Sequence, residues 1–214
     1  MHLLSQVSCQ MYYSKFVKCK GRVPSCVRKW TEEYPEFRTA CASIWPNIYK
    51  KHFSITRETK LQSFQYQIIH RLITCKKRLF DMKIAENPEC DFCKDIDNIR
   101  HFFLFCPKVK SFWNSLLQWW NRLTDINIVS DFEHLEECIL FGFPIEGEIF
   151  DVLNHCILIA KFYIYRQRLF NDNDIDFFSF LVELKYKIQI EYSICKDTDT
   201  LDKFEKYFFL YELL

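Results

Sequence analysis

Three cysteines and one histidine stand close together near the middle of the chain. Cys90 and Cys93 are separated by two residues, seven residues follow, and His101 and Cys106 are separated by four. Two intervening residues allow a tight turn to point both sulfurs at one position, and the longer interval lets the chain double back. Because four thiolate and imidazole donors suit tetrahedral zinc, the spacing predicts one zinc ion bound by Cys90, Cys93, His101 and Cys106.

The predicted zinc ion is structural, because four protein ligands leave no coordination position for a substrate. Cys106 is followed by Pro107, a residue well suited to the first position of a helix. Cys106 would therefore lie at a helix N-terminus, where the helix dipole favours a thiolate. The alternative interpretation is that the four residues are unrelated cysteines and a histidine of the core or surface.

Basic residues are concentrated just before this cluster. Residues 49–80 hold eight Lys and Arg side chains against a single acid, Glu58, which gives this segment a charge of +7, whereas the whole chain is +1. Such a segment suits contacts with nucleic-acid phosphates, for which the candidates are Lys60, Gln67, His70, Arg71, Lys76, Lys77 and Arg78. A solvated basic surface is the alternative, and for His70 alone a packing role is the alternative.

Hydrophobic spacing predicts helices throughout. Strong patterns cover residues 59–72, 76–84, 107–122, 148–170 and 175–195, and weaker ones cover 28–37 and 200–214. Residues 131–143 mix acids with apolar residues and end in a break marked by Gly142. The expected fold is mostly α, with a helical hairpin, a short zinc knuckle and a C-terminal helical bundle. We divide the chain into a lead-in (residues 1–58), a helical segment with the knuckle (59–122) and a helical tail (123–214).

Composition limits the remaining classes. The chain is 49% hydrophobic and 27% charged, as expected of a folded protein. Its 11 cysteines are odd in number and scattered, and its first twenty residues lack an apolar signal segment. The apolar run 156–165 is too short for a membrane span. We therefore expect a cytoplasmic or nuclear protein with reduced thiols, no membrane association, no small-molecule substrate and no catalytic site.

Several other residues allow two interpretations. Trp113, Trp119 and Trp120 could stack on unpaired bases, but their helical spacing also suits core packing, especially for Trp113. A polar strip along the predicted helix 148–170 includes Lys161 and Arg168. These residues could likewise contact nucleic acid or pack within the fold. Four cysteines outside the cluster are predicted to be small apolar core residues: Cys75, Cys138, Cys156 and Cys195.

Residues 59–72, taken together with the cysteine cluster, resemble the reverse transcriptase zinc-binding domain of LINE-type, non-LTR retrotransposons. The resemblance extends through Cys106-Pro107 and Phe112-Trp113, and a second similar stretch covers residues 160–166. Arg100, before the histidine, replaces an acid that is usual in that family. The resemblance spans residues 59–187 and is strongest up to Trp113.

The resemblance implies a region downstream of the polymerase in a parent polyprotein, which helps to hold template RNA or target DNA. RNA is the first expected partner, with DNA and the polymerase domain as further candidates. No Asp-Asp dipeptide occurs in this sequence, so the two-metal polymerase centre is not expected here. A structural or protein-docking module and a decayed, non-functional remnant are the alternatives.

Overall fold

Apolar side chains at steps of three and four make one side of each helix hydrophobic, and these sides form the core. A computed structural model describes residues 24–34, 41–124, 126, 128, 135–170, 175–207 and 210. The fold is mostly α, as predicted, and the described residues contain no strand. The α-helices are α1 Ser25–Glu33, α2 Cys41–Ile55, α3 Thr59–Ile69, α4 Lys76–Asp81, α5 Pro107–Thr124, α6 Leu135–Phe141, α7 Glu148–Phe170 and α8 Phe177–Asp197.

The chain divides into two compact units at Trp45 and Pro46. In the first unit, α1 buries Cys26, Val27 and Trp30. The metal-ligand candidates and all helices after α2 belong to the second unit. Since the division reflects contact density, the predicted boundaries at residues 58 and 122 stay predictions.

The core of the second unit is built around α7, whose predicted limits, 148–170, agree with the structure. Its middle is buried on all sides, and Ile159 and Ala160 have no exposed surface. Helices α3 and α8 both pack against it. For example, the ring of Phe64 on α3 meets that of Phe162 edge to face, with 5.1 Å between centroids. Two elements far apart in sequence are thus held by one central helix.

Three helices end earlier than their patterns predicted. Helix α1 stops at Glu33 rather than at residue 37, because Tyr34 precedes a proline and such residues avoid helical angles. Helix α3 stops at Ile69, and Arg71 adopts a left-handed conformation with φ of 59°. Leu72 is therefore 44% exposed and does not extend the buried side of α3. Helix α4 ends at Asp81 rather than at residue 84.

Residues 201–207, after α8, do not form the predicted α-helix but two short 3₁₀ turns, Leu201–Lys203 and Glu205–Tyr207. Residues 208, 209 and 211–214 of the predicted range lie outside the described residues. Phe204 and Tyr207 are nevertheless buried, as their spacing suggested. Helix α6 lies within the stretch 131–143, to which the sequence pattern assigned no element, and residues 131–134 lie outside the described residues.

Three charged residues of α7 and α8 are buried. Lys187 on α8 pairs with Glu58 at 2.6 Å. Glu191, one turn later, accepts hydrogen bonds from the Thr56 hydroxyl and the Arg57 amide, both at 2.8 Å. Lys161 on α7 is 2% exposed. Each charge has partners from distant parts of the chain, which helical periodicity does not indicate.

In the part of the chain that the structure describes, every helix is too short or too polar to cross a lipid bilayer.

Candidate metal centre

A tight turn presents the first two cysteines. Glu89 and Ile96 pair across an isolated antiparallel bridge, and the amide of Cys90 donates to the Asp95 carbonyl at 2.7 Å. The amide of Lys94 returns to the Cys90 carbonyl at 3.0 Å, and Lys94 closes the turn with a φ of 66°. This is the turn that two residues between cysteines predicted.

A short π-helical turn, His101–Phe105, presents the other two ligands. The side chain of Asn98 accepts the His101 amide at 2.9 Å and caps its start. At its end the Cys106 amide donates to the His101 carbonyl at 3.0 Å, so the ligands lie at the two ends of one wide hydrogen-bonded ring. The indole of Trp113 on α5 donates to the Phe103 carbonyl at 2.6 Å and fixes this turn to the helix.

The four donor atoms meet at one point. Those of Cys90, Cys93, His101 and Cys106 all lie within 4.8 Å of one another. The sulfurs of Cys90 and Cys106 are 4.0 Å apart, and the Cys93 sulfur is 3.3 Å from Nε2 of His101. Sulfur ligands at zinc bond lengths and tetrahedral angles are about 3.8 Å apart. The donor set and its spacing thus fit a metal ion of the zinc type.

Burial controls the protonation of these ligands. Desolvation lowers the pKa of His101, which favours the neutral imidazole that a metal requires. Desolvation raises the pKa of the Cys93 and Cys106 thiols. For Cys106, an amide hydrogen bond and the positive charge of Arg168 act in the opposite direction. Metal binding at this centre must therefore displace thiol protons.

Asp97 organises the surroundings of the cluster. Its carboxylate accepts the Lys76 amide at 3.1 Å and its carbonyl accepts the Lys77 amide at 3.1 Å, so Asp97 holds the start of α4. The same carboxylate forms an ion pair with Arg168 at 2.8 Å, in which both side chains are 4% exposed. Nothing in the local sequence around Asp97 indicates these contacts. Its role was not predictable, because its partners lie 20 or more residues away.

The seven candidate phosphate contacts lie on α3, on the turn after it and on α4. Lys60 is exposed and extends over the Phe162 ring, whereas Gln67 is half-buried. Arg71, which falls within the helix predicted for residues 59–72, lies beyond the end of α3. Its carbonyl accepts a hydrogen bond from Arg78, so Arg71 and Arg78 are brought together.

The lysines of α4 are half-buried and have acidic partners. Lys76 pairs with Asp91 of the turn that presents Cys90 and Cys93, and Lys77 pairs with Asp81 at 2.5 Å. His70 contacts the Tyr66 ring, with 4.1 Å between centroids, which is a packing contact. Binding of phosphate by any of these residues stays a prediction.

Two of the three tryptophans are core residues. Trp113 and Trp120 are 4% and 1% exposed, so neither presents a ring on which bases could stack, whereas Trp119 is half-buried. The prediction of a core role for Trp113 is confirmed. Cys75, Cys138, Cys156 and Cys195 are also buried, as predicted.

Comparison with known proteins agrees with this geometry. Residues 29–113 match the family model described as zinc-binding in reverse transcriptase, and this range contains all four ligands. No curated protein and no solved structure matches the chain. The match begins earlier than the predicted resemblance and stops at Trp113, so the similarity of residues 160–166 stays a prediction. Together, the family match and the ligand geometry support a reverse transcriptase zinc-binding domain in residues 29–113 of this chain.

Proposed function

We propose that the chain is a zinc-dependent, nucleic-acid-binding module, with RNA as its first ligand, from the C-terminal region of a LINE-type reverse transcriptase. The observation that carries this proposal is the convergence of four donor atoms within 4.8 Å of one another. The family match supports an accessory role next to a polymerase rather than catalysis by this chain. The cytoplasm or nucleus, where RNA is available, is the proposed location.

Cys90, Cys93, His101 and Cys106 would hold one zinc ion. When bound, zinc supplies four strong bonds that cross-link the elements carrying its ligands. The turn at Cys90 would be tied to the π-helical turn, and through Cys106 to the start of α5. Because Asp97 joins this region to α4, the metal centre also stabilises the surface that carries Lys76 and Lys77.

The basic surface supports RNA binding through its charge and exposure. The ion pairs of Lys76 with Asp91 and of Lys77 with Asp81 involve side chains that are 33–68% exposed. Such surface pairs contribute only about 0–1 kcal/mol. A phosphate can therefore replace either carboxylate at little cost, and binding should depend on salt.

The metal is tested first, by native mass spectrometry of the purified protein under reducing conditions. We expect one zinc ion per chain, and none after the double substitution Cys93→Ser, Cys106→Ser. A matched control is Cys138→Ser, Cys195→Ser, which changes two buried cysteines outside the cluster. Wild-type protein without metal would contradict the zinc site and would favour the interpretation as a decayed remnant.

RNA binding is tested by fluorescence anisotropy with single-stranded RNA at several salt concentrations. Each phosphate contact contributes about −0.7 to the slope of log K against log salt. We expect Lys76→Gln, Lys77→Gln to weaken binding and to reduce the slope by about 1.4. The control, Lys196→Gln, Lys203→Gln, removes two exposed lysines outside the basic surface. Equal slopes for the two double variants would contradict the proposed surface.

One observation favours a second function, docking onto another protein. Phe178, Val182 and Tyr186 follow one another at steps of four on α8 and are 76%, 72% and 61% exposed. Such a row on a helix is typical of a protein-binding surface. If α8 docks onto the polymerase region of the same element, Val182→Asp should abolish that interaction and leave RNA affinity unaltered. The affinity for the polymerase region should change little with salt.

A further inference from the structure

The side chain of Arg168 reaches the metal ligands from a distant helix. Arg168 lies near the end of α7, 78 residues after Cys90, yet its Nη2 is 3.3 Å from the Cys90 sulfur. The same nitrogen donates to Asp97 at 2.8 Å, and Nη1 donates to the Phe102 carbonyl at 2.8 Å. The guanidinium also lies over the Phe102 ring, 4.0 Å from its centroid.

These contacts engage both halves of the ligand set. Cys90 belongs to the turn that presents the first two cysteines, whereas Phe102 belongs to the π-helical turn His101–Phe105. A planar guanidinium can donate in several directions at once, so one side chain fixes the position of one turn relative to the other. Its side chain is 4% exposed, and water therefore competes little for these hydrogen bonds.

Charge gives a second reason for an arginine at this position. Three thiolates, one neutral imidazole and a divalent ion carry a net charge of −1, and Asp97 adds another negative charge nearby. A buried excess of negative charge is costly unless it is paired. The guanidinium of Arg168 supplies the compensating charge at hydrogen-bond distance from both Cys90 and Asp97.

We propose that Arg168 is a positioning residue of the metal centre, which stabilises the Cys90 thiolate and anchors the end of α7 to the cluster. The residue lies outside the range that matches the zinc-binding family, 29–113. The metal centre of this chain would therefore be completed by the end of α7. This inference depends on the zinc binding proposed above.

The test compares the zinc affinities of purified wild-type protein, Arg168→Gln and Arg168→Lys, measured by competition with a chromophoric chelator. Loss of a partner outside the coordination sphere typically weakens metal binding 10- to 100-fold. We expect a loss of this size for Arg168→Gln and a smaller one for Arg168→Lys, which keeps the charge but not the planar group. Arg166→Gln is the control, because Arg166 lies two residues before Arg168 on α7 and pairs with Glu183 instead of the cluster.

A second measurement separates this role from general unfolding. Limited alkylation with iodoacetamide, read by peptide mass spectrometry, should modify Cys90 faster in zinc-loaded Arg168→Gln than in the wild type. Cys156, which has no exposed surface, should stay protected in both. Accelerated alkylation of Cys156 together with Cys90 would show that the variant unfolds and would overturn the positioning role.

The two proposals fail in different ways. Wild-type protein that binds no zinc would overturn the proposed function. Wild-type protein that binds zinc with the same affinity as Arg168→Gln would overturn only the role of Arg168.

Discussion

Lys161 places an amino group in the interior of the second unit, and protein stability should therefore depend on pH near neutrality. Its Nζ donates to Oε1 of Gln65 at 2.7 Å and to the Leu140 carbonyl at 2.9 Å. No carboxylate accompanies it among the described residues within hydrogen-bond distance. Burial lowers the pKa of Lys161 from 10.5 to about 7.

The direction of the effect follows from proton binding. Between pH 7 and 10.5 the unfolded chain holds a proton on this lysine that the folded protein has lost. Stability should therefore rise with pH in this window, and the full cost of burying the charge should be present below it. With these two pKa values, the contribution of Lys161 grows by about 1.4 kcal/mol from pH 6 to pH 8.

Lys161→Met removes this titration and keeps the length of the side chain. The assay is urea unfolding of zinc-loaded, reduced protein at pH 6, 7 and 8, and the quantity of interest is the difference in free energy of unfolding between variant and wild type. Other titrating groups are present in both proteins and largely cancel in this difference. Lys196→Met, which changes an exposed lysine, is the control and should give no pH dependence.

The advantage of Lys161→Met over the wild type should shrink by about 1.4 kcal/mol between pH 6 and pH 8. His52 contributes little to this difference, because burial, which Lys161→Met leaves unchanged, is the largest cause that lowers its pKa to about 4, ahead of the charge of Lys161. A difference that stays constant over this range would refute the reasoning. It would mean that Lys161 remains protonated in the folded protein.

Two further predictions concern the metal and a backbone turn. Because burial raises the pKa of both Cys93 and Cys106, zinc affinity should fall as pH decreases. The fall should reach up to about 100-fold per pH unit, since both thiols must lose a proton when zinc binds. Chelator competition at pH 6.5 and 7.5 measures the two affinities, and equal values would contradict the prediction. Gly142→Ala should lower the free energy of unfolding by about 1–3 kcal/mol, because Gly142 has a φ of 97° and an added Cβ would lie 3.1 Å from Oδ1 of Asn154. Gly147→Ala, with a φ of 131° and open space around it, is the control; an equal loss in urea unfolding would show that backbone conformation alone causes the effect.

The metal ligands could be predicted from the sequence because their geometry is local. Cys90 and Cys93 share one turn, and His101 and Cys106 share another, so the spacing nearly determines where the donor atoms lie. The limits of α7 were predictable for a similar reason, since its apolar run is long and ends at polar residues. Helix ends that depend on a single turn, such as that of α3 at Ile69, were less well predicted.

Other features were decided only by the tertiary structure. In the sequence, Lys161, Lys187 and Arg168 cannot be distinguished from the lysines and arginines that are typical of solvent-exposed helix positions. Their burial depends on the distant groups that the fold brings to them. These are Gln65 for Lys161, Glu58 for Lys187, and Cys90 and Asp97 for Arg168. Sequence periodicity indicates the side of a helix on which a residue lies, but not the distant residue that contacts it in the folded protein. The sequence alone therefore determined the four candidate metal ligands and most of the helices, whereas tertiary packing decided which charges are buried and how the end of α7 reaches the candidate metal centre.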